Sequence, residues 1–515
     1  MKASFDKLMI RAAYLYTIIP FLLFCVGWLR WYYTVPAVLI LIACYLLVIK
    51  ATTEYIYINL KKHSATIIIS LIVILTIVLF SGIGEYSYQT EDHLFRNSVF
   101  HDLVTHNWPY RLNESGNFPH NHQPILFIYY IEYWFPAALI GKIAGWEAAK
   151  FFLYLWTVIG TTLTFYFLCR LFKRVSLKIL FLFFFFNTLY IFVSFVKYPV
   201  MSVISSDYKV WSDFMLLAGS NIDALFWIYN QTVTPLLIIA LILNNVPKQN
   251  VGFLYALCYL HGPFCFIGFF PYLCIMLYRD IVANKASPLS FAQRLAPYLT
   301  FQNLAGSLVI VFFSYCYLAG SPAVQPLFFA KLKLFKYLLF IAVEFGLISI
   351  LIFNKYKRDP FYYATIAMLL ILPLIAMGNI QPFTFCVRVS IVPMFMLMIF
   401  VTRFLLEERP SITRKLVLLY VSIAAIEPFL QIGRSVTFTI GHYIDPLATN
   451  KILYDRAGEW SNWRKLVPDQ SQWKTQNFNK LNFVETQDTS ITPNLPLYEM
   501  QTDTPFFSRY LLKQK

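Results

Sequence analysis

The sequence predicts an all-α polytopic membrane protein, and three observations carry that prediction. Of its 515 residues 58% are hydrophobic and only 13% charged, against roughly a quarter charged in an average soluble protein. Apolar runs recur from Ile10 to Ile432 with short polar breaks between them. Aromatic residues reach 19%, including 50 Phe and 35 Tyr. A water-soluble fold has no interior large enough for this surface, so the bilayer is the expected solvent for most of the chain.

The elements follow in order. A helix crosses with about 20 apolar residues, fewer when its flanks snorkel. Spans are expected at 10–29, 33–49, 65–84, 148–171, 179–196, 224–243, 304–318, 335–353, 361–377, 389–404 and 416–432. Two shorter runs, 251–260 and 264–277, flank His261-Gly262-Pro263 and read as a hairpin of short helices turned by Gly262 and Pro263. The first run is longer than a signal-peptide core and has no small-x-small cleavage pattern before the next span, so it reads as a retained helix.

Loop charge sets the orientation. If the apolar piece 124–141 lies at the interface instead of crossing, the basic loops at Lys61-Lys62, 170–178, 279–294, 355–358 and 403–415 all fall on one side. The positive-inside rule makes that side cytoplasmic. The expectation is about thirteen spans in a bacterial cytoplasmic membrane, with the N-terminus inside and the C-terminus outside.

The formal charge of +16 is accounted for by these loops, which form no sustained basic stripe, so no nucleic-acid partner is expected. The eight cysteines never take Cys-x-x-Cys spacing, so neither a disulfide framework nor a zinc site is inferred.

Four regions result: three N-terminal spans in residues 1–84, a long outer loop at 85–147, a transmembrane core at 148–432, and an outer tail or small cap at 433–515. The tail carries Trp460, Trp463, Trp473 and Phe506-Phe507, aromatics suited to packing on the membrane domain. The outer loop is the richest in polar chemistry, with five of the eight histidines and the acids Glu85, Glu91, Asp92, Asp102 and Glu114. From Glu91 to His106, Leu94, Phe95, Val99, Phe100, Leu103 and Val104 recur at helical spacing. That pattern predicts an amphipathic helix on the outer membrane surface, with Asp92, Arg96, His101 and Asp102 on other faces. By composition alone, Asp92 and Arg96 form a surface ion pair four residues apart. His120-Asn121-His122 lacks a third ligand at fixed spacing, so the metal remains unassigned.

The stretch that begins with these acids, runs through His106-Asn107-Trp108-Pro109 and continues into Ile128-Tyr129-Tyr130 and Phe135-Pro136-Ala137-Ala138-Leu139-Ile140-Gly141-Lys142 resembles the first outer loop of GT-C membrane glycosyltransferases. Two more stretches look like an uncharacterised bacterial branch of that superfamily. They are Leu225-Phe226-Trp227-Ile228-Tyr229-Asn230-Gln231 with Pro235, and Gly378-Asn379 with Phe385-Cys386-Val387-Arg388-Val389-Ser390-Ile391-Val392-Pro393.

The resemblance implies transfer of a sugar from a polyprenyl-phosphate donor to a lipid- or glycan-linked acceptor on the extracytoplasmic face. It also implies that an acid early in the loop serves the reaction, as general base or as ligand of a divalent cation. Asp92 stands there with Glu91 beside it. Many members have the order Asp-Glu where this chain has Glu91-Asp92, so the choice between the two stays open.

The leaving phosphate needs a cation. Arg388, at the mouth of a span, is the first candidate, Lys209 a second, and Lys197 a weaker one. Arg96, His93 and His122 from the loop, with Asn230 and Gln231 from an otherwise apolar run, are candidates for holding substrate. Asn230 and Gln231 equally suit bonding between helices. Two other functions fit a chain of this kind: an O-antigen-type polymerase or ligase, with its essential groups in late loops, and a transporter or flippase, marked by broken helices and ionisable groups at mid-membrane.

Overall fold

The computed structural model describes residues 4–52, 55, 61–89, 91–109, 125–197, 215–244, 246–283, 289–319, 326–378, 383–444, 499–501 and 507–513. In chain order the helices are α1 Ser4–Trp28, α2 Trp31–Ala51, α3 Ser64–Phe80, α4 Glu91–Thr105, α5 Phe135–Ala144, α6 Trp146–Leu171, α7 Leu177–Phe185, α8 Tyr190–Lys197, α9 Asn221–Leu243, α10 Lys248–His261 and α11 Pro263–Leu277. They continue with α12 Phe291–Leu295, α13 Ser307–Leu318, α14 Leu334–Ile341, α15 Leu347–Tyr356, α16 Pro360–Ile371, α17 Thr384–Val389, α18 Ile391–Glu407, α19 Ile412–Ala424 and α20 Ile426–Ile444. Among the described residues, strands are confined to two three-residue antiparallel pairs, Ile125–Phe127 with Glu499–Gln501 and Leu327–Phe329 with Ile375–Met377.

Among the described residues, seven helices are long and apolar enough to cross a membrane, or up to nine if each of two bent pairs is one span. Ser64–Phe80 and Pro360–Leu374 are shorter apolar helices. The architecture is therefore helical and multi-pass. The expected hairpin is present as α10 and α11, and α11 continues to Ala283 as one of the seven. The run 124–141 yields in its second half the ten-residue α5, about 15 Å at 1.5 Å per residue, half the thickness of a hydrocarbon core.

Burial separates lipid-facing from central helices. In α2 the buried residues Ala37, Leu41, Cys44 and Val48 form one stripe, while Val35, Leu39, Ile42 and Leu46 lie exposed on the other side. Apolar residues on both faces fit a helix with lipid on one side and protein on the other. By contrast α9 is buried nearly all round from Tyr229 to Ile242 and forms the centre of the bundle. Its start is fixed by a capping box: the Ser220 hydroxyl accepts from the Asp223 amide at 3.2 Å, and the Asp223 carboxylate accepts from the Ser220 amide at 2.8 Å.

The regular path breaks in three places. Helices α7 and α8 meet at 49°, and the helical segment Phe291–Tyr298 meets Gln302–Leu318 at 58°. Within α9, Ile228 leaves helical geometry (φ −145°, ψ 33°). The last break lies directly before Tyr229, Asn230 and Gln231.

The final described segment returns to the start of the chain. The Arg30 amide donates to the Leu511 carbonyl at 2.9 Å and the Lys513 amide to the Trp28 carbonyl at 2.8 Å. Phe507 is fully buried between Phe24 and Tyr317.

Candidate functional site

The loop acids enter the structure through α4, which is held at both ends. Gly82, just after α3, has φ +85°, and a Cβ there would stand 2.8 Å from the Tyr88 carbonyl oxygen, so this turn requires glycine. Gln89 then bonds the Gly82 carbonyl at 2.6 Å and receives the Asn97 amide at 2.9 Å. At the other end Lys142 donates to the Val104 and His106 carbonyls, placing a cation where the helix dipole favours one.

Helix α4 is more than a surface amphipath. Val99, Phe100, Leu103 and Val104 are buried as expected, but so are His93, Arg96, Asn97 and Asp102. For His93 and Arg96 the reason lies in α9. The Arg96 guanidinium sits 5.9 Å from the centroid of the Tyr229 ring, and the His93 ring stacks on the same tyrosine at 5.8 Å. The Tyr229 hydroxyl in turn accepts from Trp134 Nε1 at 2.9 Å. Burial, with Arg96 close by, holds the His93 imidazole well below its usual range, so the ring stays neutral.

Asp92 and Arg96 do pair, at 2.9 Å, but asymmetrically: the Asp92 side chain is 49% exposed and the Arg96 side chain 3%. The pair thus links solvent to the interior and is not wholly a surface contact. Nearby, Glu85 faces Lys150 Nζ at 3.4 Å. Burial pushes the Glu85 carboxyl up to about 7 although Lys150 draws it down.

Beyond the break in α9, the amides at 230 and 231 reach two separate elements. Asn230 Nδ2 donates to the Tyr130 carbonyl at 3.4 Å. Gln231 Oε1 accepts from Arg388 Nη1 at 3.2 Å. Arg388, half-buried on the short helix α17, has its guanidinium 5.6 Å from the Phe264 ring centroid, and the Tyr130 hydroxyl bonds to it. Arg96, Tyr229, Asn230, Gln231 and Arg388 therefore form one polar centre around the broken helix.

That centre is incompletely paired. Among the described residues, Arg96 Nε and Nη1, Asn230 Oδ1 and Gln231 Nε2 are buried and have no hydrogen-bond partner. Buried donors and acceptors rarely go unmatched.

The comparisons with known proteins give a short answer. No protein-family model, curated protein or solved structure matches the chain.

The remaining candidates divide by what is described. Glu91 opens α4, but its side chain lies outside the described residues, as do Lys209, His120 and His122 in full, and the side chain of Lys197. No three His, Cys, Asp or Glu side chains gather to hold a metal ion among the described residues.

Two clusters escaped the sequence reading. Asn187, in the break between α7 and α8, donates to Glu427 Oε2 at 3.2 Å, and Arg434 Nη2 donates to Glu427 Oε1 at 3.3 Å. Asp223, at the start of α9, completes this group 3.5 Å from Asn187 Nδ2. The second is His261, expected to be a feature of its hairpin turn. It also lies 3.6 Å from Glu132 Oε2, both side chains sealed from solvent. The only sequence signal for either cluster was an ionisable residue in or beside an apolar run.

Proposed function

We propose that this chain is a GT-C-type membrane glycosyltransferase of the bacterial cytoplasmic membrane, with about thirteen spans, N-terminus cytoplasmic and C-terminus extracytoplasmic. The sugar moves from a polyprenyl-phosphate donor to a lipid- or glycan-linked acceptor on the face that carries α4. The observation that carries this reading is the polar centre at the break of α9: buried groups on Arg96, Asn230 and Gln231 left without partners among the described residues, between the half-exposed Asp92 and the half-buried Arg388.

In this reading the acceptor hydroxyl attacks the anomeric carbon while Asp92 or Glu91 takes its proton. The bond from that carbon to the phosphate oxygen breaks, and the electron pair leaves with the polyprenyl phosphate. Arg388 stabilises the charge that develops there. Arg96 orients the Asp92 carboxylate through their 2.9 Å contact, and the open amide groups of Asn230 and Gln231 suit sugar hydroxyls. Glu91 and Asp92 are also the residues to hold a divalent cation if the reaction uses one.

The test supplies labelled polyprenyl-phosphate sugars and a membrane extract to membranes containing the wild type, Asp92→Asn, Glu91→Gln or Arg388→Ala. A carboxylate acting as base is worth about 10²–10⁴ in rate, so loss on that scale is expected in one of the two acid variants at normal expression. Full transfer in both removes the acid assignment. If the wild type transfers from no donor, the enzyme reading gives way. The three helix breaks favour a flippase or transporter as the second reading.

A further inference from the structure

We propose that Glu132 and His261 form a buried proton-binding site, one proton bridging Glu132 Oε2 and His261 Nδ1, seated directly beneath the polar centre of α9. His261 Nε2 lies 3.1 Å from the carbonyl oxygen of Thr17 in α1. A carbonyl only accepts, so Nε2 carries a hydrogen. In a neutral imidazole Nδ1 is then a bare lone pair, and it points at Glu132 Oε2 from 3.6 Å. Two acceptors facing each other in a site sealed from bulk solvent need a proton between them.

The surroundings offer no other remedy. His261 is the only ion-pair partner of Glu132 among the described residues, and neither carboxylate oxygen has a hydrogen-bond partner there. Facing Glu132 from α1 is Cys25, an uncharged thiol, while the carboxylates of α1 and α9 are engaged elsewhere, Asp6 with Arg170 and Asp223 with Ser220 and Asn187. An unprotonated carboxylate here would be an uncompensated buried charge. With one proton the pair is neutral, whether that proton rests on the carboxyl or on the ring.

The site is joined to the polar centre from both partners. Glu132 lies between Tyr130, whose carbonyl takes the Asn230 amide, and Trp134, whose indole donates to Tyr229. His261 precedes Gly262, which packs so closely on the Gln231 carbonyl that a Cβ would stand 2.8 Å from it. Cys265, a few residues on, donates its thiol to the same carbonyl at 3.5 Å. Losing the proton sets a bare charge against both supports of the Tyr229–Gln231 segment. The inference is independent of sugar transfer.

Proton counting supplies the test. The folded pair holds one titratable proton, whereas the unfolded chain holds none once pH exceeds the free imidazole value of about 6.5. Above that pH the folding constant of the wild type, relative to Glu132→Gln, is therefore expected to fall about tenfold per pH unit. Denaturant unfolding of the full chain in detergent from pH 6 to 9 measures it.

Parallel curves for the wild type and Glu132→Gln overturn the site. Should the variant fail to fold, nitrogen NMR of histidine-labelled wild type decides. At about pH 8.5, two units above the free imidazole value, one ring is expected to keep both nitrogens protonated or strongly hydrogen-bonded. Histidines that are all ordinary neutral rings overturn the proposal.

Discussion

Two buried arginines, near opposite ends of α9, show how a structural ion pair differs from a candidate site. Arg170 closes the last turn of α6, where its Nε donates to Asp6 Oδ1 and its Nη1 to the Asn244 carbonyl, each at 3.1 Å. The Tyr166 hydroxyl also bonds Asp6, and Asn244 is itself anchored to the Phe167 and Ala240 carbonyls. Charges and donors there are answered within the protein. Arg96 has one carboxylate partner, itself half-exposed, a tyrosine face, and two nitrogens without a hydrogen-bond partner among the described residues. A group kept only for stability is expected to look like Arg170; Arg96 has the unfinished bonding of a group that meets something else.

The largest effect that tests this contrast is on stability. Arg170→Ala strands the Asp6 carboxylate in the interior and is expected to cost about 3–5 kcal/mol, read as loss of folded protein in detergent. A milder, pH-dependent effect belongs to Glu85. Its carboxyl rises from 4.5 to about 7 on folding, so the folded state binds the extra proton. The resulting stabilisation is complete below about pH 4.5 and is lost as pH climbs through about 7. Glu85→Gln is expected to flatten the stability profile across that window, which otherwise spans about 3–4 kcal/mol.

The smallest stability effect is expected at the polar centre itself. Asn230→Leu removes a buried acceptor that lacks a partner and an amide bond that is long at 3.4 Å. The unpartnered acceptor is relieved of its desolvation, while the Tyr130 carbonyl loses only a long bond, so stability should change by about 1 kcal/mol or less while sugar transfer falls. A loss of several kcal/mol would make Asn230 a structural bond between helices and break the contrast with Arg170.

The sequence exposed whatever depends on composition along the chain. Apolar runs marked the helices because crossing a bilayer demands length and apolarity together. Asn230, Gln231 and Arg388 stood out because polar groups are rare in such runs. What stayed hidden depends on pairing across the bundle. Nothing in the run around Ile228 announces its departure from helical geometry, since neither Gly nor Pro stands there. Gln231 and Arg388 are 157 residues apart, and periodicity within one helix carries no information about its neighbour. The contact of His261 with Glu132 stayed hidden for the same reason: the histidine sits at its hairpin turn as expected, while its carboxylate partner lies on a different element.

The return of residues 507–513 to the α1–α2 junction has a consequence for biosynthesis. Arg30 and Leu512 touch across 482 residues of chain, which at about 5–20 residues per second are made on the order of a minute apart. The first helical hairpin must therefore enter the bilayer and wait with an apolar socket beside Phe24 open. Its permanent occupant, Phe507, is synthesised only after the helices that form the rest of the socket.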